Sequence, residues 1–120
     1  MSKRTLVIGA SENPARYSNK AILALRRNNH EVLGLAKRKG LVEDVAIQTN
    51  FPEQENIHTV TLYVGPQHQS EYYADIIRMK PQRVIFNPGT ENPEFAEKLE
   101  VNNIDAEEAC TLVLLSIGNY

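Results

Sequence analysis

Tryptophan is absent from this 120-residue chain, and its one cysteine, Cys110, has no partner for an internal disulfide. That usage suits a reducing compartment, so a cytoplasmic location is expected. Neither sign of charge dominates: the formal net charge is -2. Nucleic-acid binders and membrane-surface proteins need a strong basic bias, and neither partner is expected here. Long apolar runs are also missing. Met1-Ser2-Lys3-Arg4 leads into a run at 5–9 too short for a signal-peptide core, and nothing approaches the ~20 apolar residues of a membrane span. His30, His58 and His68 are scattered without ligand spacing, so no metal site is expected. No Ser–His–Asp order or paired-carboxylate motif stands out, and no catalytic residue is assigned.

What is present is ordinary in amount and informative in placement. The chain is 42% hydrophobic and 23% charged, with six glycines and six prolines, and its length fits one domain over residues 1–120. Thr5-Leu6-Val7-Ile8 is a β-branched apolar run closed by Gly9, the pattern of a strand buried on both faces. Ser18 is the expected N-cap of a helix carrying Ala21, Ile22 and Leu25 on one face, stopped by Asn28-Asn29. A second strand is expected over 31–36, then the basic turn 37–40 and a short edge strand at 45–48. A central strand follows over 59–64, ended by Gly65-Pro66, and then a helix over 69–79. Residues 83–86 form another buried strand. Asn92-Pro93-Glu94 combines an N-cap, a first-turn proline and an acid, which starts a helix. A strand at 104–109 and a helix at 111–117 complete the chain.

Alternating β and α elements imply a three-layer, doubly wound α/β sandwich around a mainly parallel five- or six-stranded sheet, in an order such as 3-2-1-4-5. Ligands of such sheets bind beyond the carboxyl ends of the strands, at the switch point between the first strand and the one at 59–64. The first turn there holds Gly9, Ala10, Ser11, Arg16, Tyr17, Ser18 and Lys20. Gly9 permits a tight bend and close approach of backbone to phosphate, hydroxyls and cations flank it, and a helix N-terminus follows. A valine at Gly9 is accordingly expected to block phosphate while leaving the fold intact. Only the first glycine of the dinucleotide fingerprint is in place. The second turn carries Lys37, Arg38 and Lys39 where NAD-binding domains carry an acid for the ribose hydroxyl. A ligand with an extra ribose phosphate fits that charge, which both NADP and coenzyme A provide.

The segments Val7-Ile8-Gly9-Ala10-Ser11, Pro14, Arg16-Tyr17-Ser18, 32–40, Val84-Ile85-Phe86 to Pro88-Gly89, Glu91-Asn92 and Cys110-Thr111-Leu112-Val113 resemble the single-domain coenzyme A-binding proteins. These are Rossmann-like relatives of the nucleotide domain of the succinyl-CoA synthetase α subunit. The resemblance implies adenosine and phosphates over the first two turns and a pantetheine arm passing Val64, Gly65, Pro88 and Gly89. The second strand ends Leu35-Ala36-Lys37-Arg38, where the family often has Val-Asn-Pro, and the added charge suits a 3′-phosphate. The synthetases' phosphorylated histidine belongs to a second domain, so ligase activity is not implied.

The expected function is binding of coenzyme A or an acyl-CoA by a non-catalytic carrier, sensor or regulatory module. It would act as a homo-oligomer or with a larger acyl-CoA enzyme. The alternative is an NADP-binding reductase-like enzyme with an intersubunit substrate site; a protein–protein module with a vestigial pocket is a third reading. Tyr17 packs on the sheet or touches ligand on equal terms, and Cys110 is expected to be a small buried hydrophobe.

Overall fold

Runs of β-branched and apolar residues separated by glycine, proline and asparagine give strands buried on both faces, with helices laid over them. In the computed structural model, which describes residues 2–53 and 56–120, these form β1 (Thr5–Ile8), α1 (Tyr17–Arg27), β2 (Val32–Leu35), β3 (Gly40–Val42), β4 (Val45–Gln48) and β5 (Thr59–Leu62). Then come α2 (Tyr73–Met79), β6 (Arg83–Phe86), α3 (Pro93–Val101), β7 (Asp105–Glu108) and α4 (Thr111–Ser116). The sheet order is β3-β4-β2-β1-β5-β6-β7, parallel except where β3 runs antiparallel to β4. The switch point lies between β1, paired with β2, and β5, paired with β6, as the sequence predicts.

Alternation along the strands divides the core in two. Leu6, Ile8, Val60, Leu62, Val84 and Phe86 pack against Ile76 of α2 and Phe95 and Leu99 of α3. On the other face, Val7 and Ile47 pack with Ile22 and Leu25 of α1, and Leu115 of α4 lies against them. Each such side chain contributes roughly 1.5–3 kcal/mol when fully buried. Asn29, Lys80 and Asn103 adopt φ of 63°, 53° and 61° just past α1, α2 and α3, the left-handed stops that asparagine favours at two of the three.

Four expectations are corrected. Among the described residues the sheet has seven strands, because Gly40–Val42 pairs with β4 as a hairpin; with one buried residue, Val42, it is too short to show a period. Ser18 is not an N-cap: Arg16 occupies that position in extended conformation, and Ser18 is buried in the first turn. The strand expected over 59–64 stops at Leu62. The helix expected over 69–79 begins at Tyr73, after two 3₁₀ turns, Pro66–His68 and Ser70–Tyr72. The cause of this last change is Gln69, whose fully buried amide draws the segment inward by donating to the Val64 and Thr90 carbonyls at 3.0 and 2.8 Å.

Candidate functional site

The loop after β1 is built from its own polar groups. Ser11 Oγ accepts the Asn13 N–H at 3.0 Å, Asn13 Oδ1 accepts the Ala15 N–H at 3.0 Å, and the Arg16 N–H donates to the Asn13 carbonyl at 3.0 Å. Asn19 donates to the Ser11 carbonyl at 2.9 Å and Lys20 to the Pro14 carbonyl at 2.9 Å, so Lys20 serves the loop. Glu12 accepts the Leu41 N–H at 2.9 Å, tying the loop to the β3–β4 hairpin. The closed loop delivers α1 with no capping side chain and no acid in its first turn. The N–H groups at such a start lack intrahelical partners and favour an anion. Arg16 is exposed and has no ion pair among the described residues.

Above the carboxyl ends of β1, β5 and β6 this helix start opens onto a cleft of about 510 Å³. Gly9, Ala10, Ser11, Arg16, Tyr17 and Ser18 line one side, with Gly65, Pro88 and Gly89 on the other. Tyr17 is 69% exposed there, which decides against packing on the sheet. Val64 stands behind the wall, its carbonyl taken by Gln69. A neighbouring alcove of about 330 Å³ is lined by Lys37, Arg38 and Lys39 and shares Ala10 and Ser11 with the cleft. Of the residues expected to contact ligand, those other than Val64 and Lys20 line this cleft or the alcove beside it. A larger hollow of about 730 Å³, at Phe51, Pro52 and the last turn of α2, lies away from the strand ends where such sheets bind ligands.

Sequence reasoning missed the scaffold beneath the cleft. Asn87 donates to Thr61 Oγ1 at 2.6 Å and the Leu62 carbonyl at 2.9 Å, and accepts the Thr111 N–H at 2.9 Å. Thr90 donates its N–H and its hydroxyl to the Asn87 carbonyl, and Glu91 accepts the Gly89 N–H at 2.8 Å. Gln69 accepts from Asn92 at 3.0 Å, and Asn92 also caps α3 by accepting the Phe95 N–H. Satisfied buried networks of this kind hold a loop in one shape. Only the Asn92-Pro93 signal was readable beforehand.

Tyr63 lines the cleft floor but was not anticipated. Its hydroxyl is buried near Thr61 and Thr111, which bond each other at 2.8 Å, and among the described residues it makes no hydrogen bond of good geometry. Burial pushes its pKa up to about 12. Cys110 sits half-buried at the N-cap of α4, in place of the buried position expected.

A doubly wound, mostly parallel sheet with a glycine-lined crevice at its switch point defines the class: a Rossmann-like α/β protein. The chain belongs to the CoA binding domain family, whose model matches residues 3–116. A crystal structure of an uncharacterised protein is 42% identical, covering 100% of this chain and 99% of its own, with a TM-score of 0.97. A Thermus thermophilus structure (17% identity, coverage 99% and 91%, TM-score 0.85) shares the fold. So does a hypothetical protein from Pyrococcus horikoshii (23%, 93% and 80%, 0.83). Among curated proteins there is no match. The residues present fit the ligand that the family implies. The helix start is uncapped, basic side chains line the alcove, and a Cβ on Gly89 would meet nothing within 4 Å, so the cleft wall is open there.

Proposed function

We propose that this chain binds coenzyme A or an acyl-CoA as a carrier, sensor or regulatory module and catalyses no reaction itself. The carrying observation is the uncapped start of α1 facing a glycine-lined cleft, with Arg16, which makes no ion pair among the described residues, beside it. In this reading Gly9, Ala10, Ser11, Arg16, Tyr17 and Ser18 receive the pyrophosphate. Lys37, Arg38 and Lys39 receive the ribose phosphate, and the pantetheine arm follows Val64, Gly65, Pro88 and Gly89. The non-catalytic role is supported by the lining itself. Among the described residues the cleft itself is lined by no Asp, Glu, His, Lys or Cys; Glu12, Lys37 and Lys39 border only the adjoining alcove.

Titration calorimetry with coenzyme A, its 3′-dephospho form, NADP and NAD tests the reading. Charge-assisted hydrogen bonds contribute about 1.5–3 kcal/mol each, and exposure puts this turn at the low end, so coenzyme A should bind about tenfold more tightly than the dephospho form. Alanine at Lys37, Arg38 and Lys39 together should close most of that gap, and rising salt should narrow it. Coenzyme A binding no better than NAD would overturn the proposal. Tighter NADP binding would favour a reductase-like protein instead.

A further inference from the structure

The three cations of the alcove differ in one respect. Arg38 and Lys39 are exposed and make no ion pair among the described residues. Lys37 is engaged: its ammonium donates to Glu71 Oε1 and lies 5.8 Å from the centroid of the Tyr72 ring. Glu71 and Tyr72 belong to the 3₁₀ turn after β5, and Tyr72 is buried in the same core cluster as Ile8 and Leu35. The pair thus joins the turn after β2 to the turn after β5, across the end of β1 that separates them in the sheet. The partners are open to water, 77% and 47% exposed, so a competing anion can reach the ammonium.

From this geometry we infer that Glu71 is an internal stand-in for the ligand's phosphate. It occupies Lys37 in the free protein and competes with a ribose phosphate for that ammonium. The inference rests on the coenzyme A reading and adds a residue that sets selectivity without lining the alcove. An exposed ion pair holds a lysine weakly, whereas a phosphate with up to two charges and three acceptor oxygens replaces a single carboxylate. The exchange is therefore favourable but reduced by whatever the Glu71 contact contributes. A ligand lacking the ribose phosphate has nothing to exchange, so it should not sense Glu71. The carboxylate is held below its ordinary pKa by the Lys37 contact and stays charged at neutral pH.

The test is a calorimetric cycle with coenzyme A and its 3′-dephospho form on wild type, Glu71→Gln, Lys37→Met and the double variant, with Glu97→Gln as a control for net charge. Glu97 is exposed on α3, away from the alcove lining. Glu71→Gln should tighten coenzyme A by about two- to fivefold, the range an exposed ion pair allows. It should change the dephospho form no more than about as much as Glu97→Gln does, and have no effect on coenzyme A in the Lys37→Met background. Unchanged or weaker coenzyme A binding overturns the inference, as does equal tightening of both ligands or a gain that survives Lys37→Met. If wild type fails to bind coenzyme A at all, the preceding proposal fails instead, which is a separate result.

Discussion

Gly9 and Gly89 end two strands of one sheet with the same backbone angle, φ +92°, in opposite surroundings. A Cβ on Gly9 would lie 2.9 Å from the carbonyl carbon and oxygen of Tyr63 and 3.0 Å from a Val64 methyl. A Cβ on Gly89 would meet nothing within 4 Å. Where β1 and β5 diverge, the Tyr63 N–H still donates to the Ile8 carbonyl at 2.8 Å, and this holds the two chains too close for a side chain between them. At Gly89 the turn hangs from Asn87 and faces open space. The first glycine is required by the fold, and the second by its own conformation and by the cleft it borders.

The sharpest way to break this contrast is Gly9→Val. A β-branched residue in the left-handed region, wedged against neighbouring backbone, should cost about 3 kcal/mol or more, much of an ordinary domain's stability. This corrects the expectation that such a variant stays folded and merely loses ligand. Urea denaturation measures it, and a midpoint close to wild type would show that the Tyr63 contact relaxes freely.

Gly89→Ala should cost less, about 1–2 kcal/mol from backbone strain alone. It should remain folded by circular dichroism while losing coenzyme A affinity, because its methyl enters the cleft. A loss of stability matching that of Gly9→Val would erase the distinction between the two turns.

The smallest effect belongs to the opposite end of the sheet. His30 accepts the Lys3 N–H on Nδ1 at 2.9 Å, and burial followed by the Lys3 charge lowers its pKa. His58 is lowered by burial and then by Arg83. Both folded-state values lie below the unfolded value of about 6.5, so the unfolded chain takes up protons first as pH falls. Stability should be fully present above that value and decline below it, in denaturation curves collected at about pH 7.5 and 5.5. The difference between the two glycine variants should persist at both. A flat profile would show that the two histidines titrate alike in the folded and unfolded chains.

Much of this architecture was legible because its signals are local. Thr5-Leu6-Val7-Ile8 and 83–86 read as buried strands from composition alone, and Asn92-Pro93-Glu94 marked a helix start within three residues. Most of the cleft-lining residues, Tyr63 and Thr90 apart, were legible for a related reason: in a doubly wound sheet the turns at the carboxyl ends converge, so naming the turns names much of the lining. Gln69 was not legible, since nothing nearby in sequence distinguishes a buried amide that bridges residues 64 and 90 from a solvated one.

By itself, then, the sequence determined the alternation of elements, the placement of glycine turns and a basic cluster after the second strand. These depend on side-chain period, caps and backbone freedom over a few residues. Tertiary structure alone decided that Gly9 faces the Tyr63 backbone, that Asn87 holds the Gly89 turn to Thr61 and Thr111, and that Lys37 is paired with Glu71. Those contacts join residues dozens of positions apart, and they exist only once parallel strands bring distant turns to the same edge of the sheet.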